Sequence, residues 1–433
     1  MSNTNPQPTA SGHASGAQPK QLSLATRAIH SDDHISAHRA IAPAMHVSTT
    51  FEYSRNPDDL KHWDNTDPSA PLDSHIYSRA TAPNTTRLEA ILSSALNGPS
   101  VTYASGLAAF HALLVRLNPR RIAIGPCYHG CLGIVRLMNR LTGLEAFDLP
   151  LDPHADSDVW AQLRPGDVIH VETPLNPTGE ALDLVAYAER ARAAGAYLTV
   201  DATFAPPPLQ DPLALGADVV LHSGTKYFGG HSDMLCGVLT VNPARAAATA
   251  AAAAAASAAG KATEEKEDMA TLLRFDRIFL GSVMGSLEGW LGLRSLRTLE
   301  LRVLRQSQSA EQLVAWLDAE ARRDGSPARA SWLRKQMPGG FGPVFAFYMK
   351  DKRHARRLPS KLGLFHHATS LGGVESIIEW RRVSDGGCDE RLMRVSIGVE
   401  GWEDLRDDLV EGFAALIKED ETPLDDLTGS LVI

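Results

Sequence analysis

The segment around Lys226 is the part of this 433-residue chain that most constrains its fold. An apolar run from Val219 to Leu221 is typical of a strand buried on both faces of a sheet. The chain then becomes polar at Ser223, Gly224, Thr225 and Lys226, where such a strand delivers its carboxyl end to a ligand crevice. We therefore predict an α/β fold in which a lysine amine and two hydroxyls lie at the carboxyl end of a buried strand.

A carboxylate at the end of a second strand suggests a chemical role for this lysine. The strand-like run 197–201 ends in Asp201, which precedes Lys226 by 25 residues. A lysine beside phosphate-binding hydroxyls can form a Schiff base with pyridoxal phosphate (PLP), and a carboxylate keeps the pyridine nitrogen of PLP protonated. The Ser-Gly-Thr-Lys string alone would leave a solvent-exposed loop lysine as an equal alternative. The presence of Asp201 favours a PLP-binding lysine over a solvent-exposed one.

Composition and charge argue against several classes of function. The hydrophobic fraction of 44% and charged fraction of 21% are those of soluble globular proteins, and no apolar run approaches a membrane span. The formal charge of −9, without a compact basic block, argues against a nucleic-acid partner. The four scattered cysteines indicate a reducing compartment, and Cys127 and Cys131 lack a second ligand pair for a metal. We expect a cytoplasmic protein with no metal site and no membrane partner.

Two segments are predicted to lie outside the folded core. Residues 1–20 are rich in small and polar residues and have neither the apolar core of a signal peptide nor the arginines of a presequence, which predicts a disordered tail. Residues 244–266 contain an alanine tract without an apolar stripe, which predicts an exposed insertion.

Four motifs around the two strands occur together in one known family. They are His222-Ser-Gly-Thr-Lys-Tyr227, Gly230-His-Ser-Asp233, Val200-Asp-Ala-Thr-Phe204 and Ser370-Leu-Gly-Gly-Val-Glu-Ser376. With them the chain resembles the Cys/Met-metabolism family of PLP enzymes, which includes cystathionine γ-synthase, cystathionine β- and γ-lyases, methionine γ-lyase and O-acetylhomoserine sulfhydrylase. Matches run in order from about Thr26 to about Leu416. This set is strongly specific for the family and weakly specific for the reaction.

The resemblance implies the type I PLP-dependent transferase fold, which is aspartate aminotransferase-like. We expect an N-terminal arm over 21–83, a large PLP-binding α/β domain with a mostly parallel sheet over 84–290, and a small α+β domain over 291–433. Within the large domain, Asn84 is predicted to cap the first helix, and a long helix is predicted to run from Leu291 into the second domain. The resemblance also implies a homodimer or homotetramer whose sites are shared between subunits.

The resemblance further implies how the cofactor is held. Lys226 would carry the Schiff base and Asp201 would face the ring nitrogen, while Tyr128 would stack on the ring and exchange protons near the substrate side chain. The helix that opens after Ser105 suits a phosphate because its first amides are free. Tyr77 and Arg79 would reach the phosphate of a neighbouring subunit. The implied cofactor-binding residues are Tyr77, Arg79, Ser105, Gly106, Leu107, Tyr128, Asp201, Thr203, Ser223, Thr225 and Lys226.

The substrate is expected to be a small amino acid held by Asn176, Ser370 and Arg394. Arg394 lies in a segment that resembles the family element whose arginine grips the α-carboxylate, which a bidentate guanidinium can do. A simple turn remains an alternative for Asn176. Lys226 and Tyr128 are the predicted catalytic residues.

The reaction type is less constrained by the sequence than the family. Our first expectation is a trans-sulfuration enzyme that acts on cystathionine or an O-activated homoserine and is cystathionine γ-synthase-like. The alternatives are β- or γ-elimination from a sulfur amino acid, or a γ-replacement step in specialised metabolism. Thr369 stands where γ-acting members often carry glutamate and some β-lyases carry tyrosine. A binding protein without activity is disfavoured because Lys226, Asp201 and Arg394 are all present.

Overall fold

The computed structural model describes residues 22–35, 40–60, 75–244, 268–321 and 332–421. The predicted tail 1–20 lies outside these ranges, as does the predicted insertion 244–266 apart from its first residue. Within the described ranges, no helix combines the length and the apolar character that crossing a membrane requires.

Helices and strands alternate strictly between residues 83 and 201. The α-helices are α1 (Leu24–His30), α2 (Pro83–Ala95), α3 (Gly106–Leu117), α4 (His129–Thr142), α5 (Asp158–Gln162), α6 (Leu184–Ala194), α7 (Met269–Leu280), α8 (Ser286–Leu296), α9 (Leu299–Ala321), α10 (Leu333–Gln336), α11 (Lys352–Arg357) and α12 (Trp402–Glu421). The strands are β1 (Ser100–Tyr103), β2 (Arg121–Ile124), β3 (Glu145–Asp148), β4 (Val168–Glu172), β5 (Tyr197–Asp201), β6 (Val219–Ser223), β7 (Gly237–Val241), β8 (Val344–Tyr348), β9 (His366–His367), β10 (Ile377–Trp380) and β11 (Leu392–Ser396).

A seven-stranded sheet forms the centre of the larger unit, in the order β1-β7-β6-β5-β4-β2-β3. All pairings are parallel except those of β7, which runs antiparallel to both of its neighbours. Val219 and Leu221 pack with α3, α4 and α7 on one face, while Val220 packs with α6 on the other. The apolar run of β6 is therefore explained by helices that cover both faces.

A four-stranded sheet of order β8-β11-β10-β9 forms the smaller C-terminal unit. Its inner face carries Ile378, Met393 and Val395, which pack against Leu313 of α9 and Leu405 of α12. The α/β fold class, with a mostly parallel sheet and a smaller C-terminal sheet unit, is confirmed. The exact domain boundaries stay predictions.

Two local predictions were wrong. Asn84 lies inside the first turn of α2, whose N-cap is Ala82, and its side chain instead contacts the arm. Asn84 Oδ1 accepts a hydrogen bond from the amide of His46 at 2.8 Å, and its Nδ2 donates to the carbonyl of Ala44 at 2.8 Å. The predicted long helix from Leu291 is divided between α8 and α9. No glycine or proline marks this break, so the local sequence carries no signal for it.

Candidate active site

A cavity of about 370 Å³ lies at the carboxyl ends of the parallel strands and is closed on one side by the C-terminal unit. Most of the predicted site residues line it. These are Ser105, Gly106, Leu107, Tyr128, Asn176, Asp201, Thr203, Ser223, Thr225, Lys226, Ser370 and Arg394. The fold therefore brings together side chains from segments that span almost 300 residues of sequence.

Asp201 is a buried carboxylate at the end of β5. One of its oxygens, Oδ1, accepts hydrogen bonds from the amide of Thr203 at 2.9 Å and from its hydroxyl at 2.5 Å. The Thr203 hydroxyl in turn accepts from the amide of Ser223 at 2.8 Å, which ties β5 to β6. Burial raises the pKa of Asp201 despite these hydrogen bonds.

Glu172 is a second buried carboxylate at this edge, and the sequence reasoning assigned it no role. It ends β4 and lies directly opposite Asp201 in the parallel register. Its Oε2 accepts from the amide of Tyr128 at 2.7 Å, and its Oε1 accepts from the amide of Asn176 at 2.8 Å. Burial, and then the charge of Asp201, raise the pKa of Glu172 to about 8. The sequence signal for Glu172 is its position as the polar last residue of a buried strand.

The N-terminus of α3 forms a cradle beside β6. Ser105 caps the helix, with its Oγ accepting from the amide of Ala108 at 3.1 Å. A Cβ added to Gly106 would stand 3.2 Å from the Cβ of Ser223, so only glycine allows so close an approach of the helix to β6 without a shift. Free amides and a hydroxyl thus converge where an anion would be stabilised by the helix dipole.

Lys226 points into the cavity and contacts the C-terminal unit. Its Nζ donates to Ser370 Oγ at 2.7 Å. Burial, and then the positive charge of Arg394, lower the pKa of Lys226 to about 8, so an appreciable fraction of the amine is neutral near neutral pH. A neutral amine is the nucleophilic form.

Arg394 is buried in β11 and held by three partners. Its Nη1 donates to Asn176 Oδ1 at 3.0 Å, and its Nη2 donates to the carbonyl of Ser370 at 3.0 Å. Nη2 also pairs with Glu379 Oε2 at 2.5 Å, which lies directly opposite on β10. Ser370 adopts a φ of 91°, a conformation rare outside glycine, and with it offers its hydroxyl to Lys226 and its carbonyl to Arg394.

Arg381 is a second arginine on the cavity wall that the sequence reasoning missed. It follows β10 directly, in a short 3₁₀ helix over Arg381–Val383, and is 4% exposed. Its Nη1 lies 3.3 Å from the same oxygen of Glu379 that Arg394 contacts. The burial of Arg381 is not apparent from the sequence, because two adjacent arginines after a strand are typical of a solvent-exposed turn.

Tyr77 and Arg79 do not reach this cavity within one chain. Arg79 lies over the ring of Tyr77, with its Cζ 5.0 Å from the ring centroid, and lines a separate surface depression with Ile278 and Phe279. Tyr77 and Phe279 are exposed. That Tyr77 and Arg79 serve a neighbouring subunit stays a prediction.

The residues present fit PLP. Asp201 is a buried carboxylate that pairs with no cation among the described residues, which suits a protonated ring nitrogen. The cradle at Gly106 and Ser223 suits a phosphate, and Lys226 supplies an amine with a depressed pKa.

Comparison with known proteins gives one consistent result. The family model described as Cys/Met metabolism PLP-dependent enzyme matches residues 25–414. A cystathionine β-lyase of Lactococcus lactis subsp. cremoris is 32% identical over 77% of this chain and 87% of its own length. The cystathionine γ-synthase of Escherichia coli is 29% identical over 92% of this chain and 99% of its own. A solved cystathionine γ-synthase of Xanthomonas oryzae pv. oryzae superposes with a TM-score of 0.78 at 26% identity, covering 92% of this chain and 100% of that one.

The match extends over nearly the whole chain and includes the strand ends that form the cavity. The structural relatives share the type I fold of PLP-dependent enzymes with this chain. The chain therefore belongs to the Cys/Met metabolism family of PLP-dependent enzymes, and PLP is its cofactor.

Proposed function

We propose that this chain is a trans-sulfuration enzyme that acts on cystathionine or an O-activated homoserine, with cystathionine γ-synthase-like replacement as its reaction. The observation that carries the proposal is the arrangement at Ser370, whose hydroxyl meets Lys226 and whose carbonyl meets Arg394. A base and a carboxylate-binding guanidinium on the two sides of one residue suit proton transfer at the Cα of an amino acid. The preference for replacement is supported by the E. coli γ-synthase, which aligns over 99% of its length.

We assign the cofactor contacts to residues that line the cavity. Lys226 would hold PLP through its amine, and Asp201, oriented by Thr203, would meet the ring nitrogen. The residues assigned to the phosphate are Ser105, Gly106, Leu107, Ser223 and Thr225. When bound, PLP supplies an electron sink for a carbanion at the substrate Cα.

The substrate is held and deprotonated by the residues of this chain. Arg394 binds the α-carboxylate, and Asn176 keeps the guanidinium plane oriented toward it. Lys226 would remove the Cα proton, and Ser370 Oγ, which accepts a hydrogen bond from its Nζ, keeps this amine on the substrate side. Tyr128 exchanges a proton near the substrate side chain, and its position depends on the hydrogen bond from its amide to Glu172.

An elimination reaction is the second candidate. It is supported by the L. lactis cystathionine β-lyase, whose 32% identity exceeds the 29% of the E. coli γ-synthase. Thr369, which lines the cavity, provides neither a carboxylate nor a phenol beside Ser370. The reaction must therefore be decided by its products.

We further propose that the active unit is a homodimer or homotetramer. Arg79 and Tyr77 lie on the surface beside the exposed Phe279, away from the cavity of their own chain. A neighbouring subunit could therefore present its own cavity to them, and the residues around Tyr77 and Arg79 would then lie at the subunit boundary. Phosphate groups are suited to a charge-assisted contact with Arg79.

Product analysis tests the proposal. PLP-loaded protein is incubated with O-acetyl- or O-succinyl-L-homoserine plus cysteine, and separately with cystathionine, and the products are identified by mass. Replacement yields cystathionine, whereas cleavage of cystathionine at Cβ–S leaves pyruvate and cleavage at Cγ–S leaves 2-oxobutyrate. Lys226→Ala is the control for uncatalysed reaction. Cystathionine formation is the expected result, and turnover of none of these substrates would contradict trans-sulfuration.

A further inference from the structure

The active-site cavity holds a positive charge that the proposed reaction does not use. Arg381 is 4% exposed and lines the cavity. Within the described part of the chain its side chain makes one hydrogen bond, from Nη1 to Glu379 Oε2 at 3.3 Å, and its buried Nε has no acceptor. A buried guanidinium with most of its donors unused is costly unless an anion completes it.

Glu379 does not need Arg381 as a partner. Its Oε1 accepts from the Ser384 hydroxyl at 2.6 Å, and its Oε2 pairs with Arg394 at 2.5 Å. Both carboxylate oxygens are therefore satisfied by other residues, and the contact with Arg381 is the longest of the three. Arg381 is thus a surplus cation beside the Arg394 site rather than a required partner of Glu379.

Arg381 lies on the cavity wall close to the residues assigned to the substrate. It touches the same oxygen of Glu379 as Arg394, so it is the next cation along the wall from the α-carboxylate site. Its charge also acts on Glu172, whose carboxylate anchors the backbone of Tyr128. Arg381 therefore neighbours Arg394 through Glu379 and is close enough to Glu172 to act on its charge.

We propose that Arg381 is a specificity residue that binds a second carboxylate, carried on the side chain or leaving group of the amino-acid substrate. A guanidinium matches a carboxylate with two parallel N–H donors, which provides both charge and orientation. A neutral side chain of the same length leaves Arg381 buried with Glu379 as its one partner among the described residues. This inference rests on the proposed function, because it assumes that Arg394 holds the α-carboxylate.

Binding of two unreactive amino acids tests the proposal on the PLP-loaded protein. L-2-aminoadipate and L-norleucine have side chains of similar length, and only the first ends in a carboxylate. We expect isothermal titration calorimetry to show that the wild type binds L-2-aminoadipate about 10- to 100-fold more tightly, as for a hydrogen bond to a charged group. Arg381→Gln should lose this preference while its affinity for L-norleucine stays within about twofold of the wild type.

Arg382→Gln is the matched control. Arg382 is the next residue on the same short helix, and it hydrogen bonds to the carbonyl of Cys388 at 3.3 Å outside the cavity. Its substitution removes one positive charge from the same neighbourhood and should leave the preference unchanged. The wild-type ratio needs no variant, so the proposal remains testable even if Arg381→Gln does not fold.

Three outcomes would overturn the proposal. They are a wild type without the preference, an Arg381→Gln variant that weakens both ligands equally, and an Arg382→Gln variant that loses the preference to the same extent. Equal weakening would show that Arg381 acts only through Glu379 and Arg394. Failure of the proposed function gives a different result. If the wild type prefers L-2-aminoadipate but turns over no trans-sulfuration substrate, the proposed reaction is rejected and Arg381 remains an anion-binding residue.

Discussion

Substitution of Arg394 tests the assignment of the α-carboxylate site most directly. Arg394→Ala removes a buried guanidinium that contacts Asn176, Ser370 and Glu379. Truncating one partner of a buried charge pair costs about 2 to 5 kcal/mol, which corresponds to a loss of about 30- to 4000-fold in kcat/KM if the substrate carboxylate is that partner. Glu379 would remain paired with Ser384 and Arg381, so we expect a cost to folding of about 2 kcal/mol, below that of an orphaned buried charge.

The division of this loss between kcat and KM carries further information. Ground-state binding alone would raise KM, but Arg394 also fixes how the Cα–H bond faces Lys226, so kcat should fall too. Arg394→Lys should restore little, because a point charge cannot reproduce the two donors of the fork. Arg391→Ala removes an exposed arginine paired with Asp389 nearby and serves as the control. Steady-state kinetics with a normal kcat/KM in Arg394→Ala would refute the assignment.

Three further predictions concern the cofactor, the assembly and the pH dependence. Wild-type protein should absorb visible light with PLP bound, and Lys226→Ala should lose both the borohydride-reducible linkage and turnover; a colourless wild type that takes up no PLP would contradict this. Inactive Arg79→Ala and Lys226→Ala chains should regain partial activity when they are mixed and form hybrid oligomers. Hybrids that form and remain inactive would contradict a site shared between subunits. Because burial raises the pKa of Glu172 from 4.5 to about 8, the folded apoprotein holds a proton that the unfolded chain releases, so stability falls as pH rises through this range. Urea unfolding should therefore show wild type losing stability relative to Glu172→Gln between about pH 5 and 8, and a pH-independent difference would speak against it.

The residues at the ends of buried strands could be predicted because one pattern encodes both fold and site. Asp201 and Ser223 each end an apolar run, and parallel pairing brings such ends to one edge of the sheet. β5 begins at Tyr197 and β6 begins at Val219, where the predicted strand-like runs begin. The helix start after Ser105 was likewise visible, because a capping serine followed by small residues is a local signal.

The charged network of the C-terminal unit could not be predicted in the same way. Glu379 and Arg381 flank a tryptophan just after two isoleucines, and charged residues at that position are typical of a solvent-exposed strand end. Their burial arises because β10 pairs with β11, which sets Glu379 opposite Arg394. That register is a tertiary property, since the two strands are joined by a loop whose sequence does not specify it. Asn84 illustrates the same limit, because its partners lie in an arm about 40 residues earlier.

Asp201 and Glu172 show how hydrogen bonding, rather than residue type, divides the roles at one sheet edge. Both are buried carboxylates, and the register sets them side by side. Both oxygens of Glu172 accept backbone amides, from Tyr128 and Asn176, so this carboxylate is committed to anchoring the two loops. Asp201 receives its hydrogen bonds from described residues on Oδ1 alone, which leaves the other oxygen able to meet a cation in the cavity. Neighbouring carboxylates disfavour each other's ionisation, so a cation at Asp201 stabilises the ionised form of both. The pair therefore binds a protonated ring nitrogen better than either carboxylate would alone.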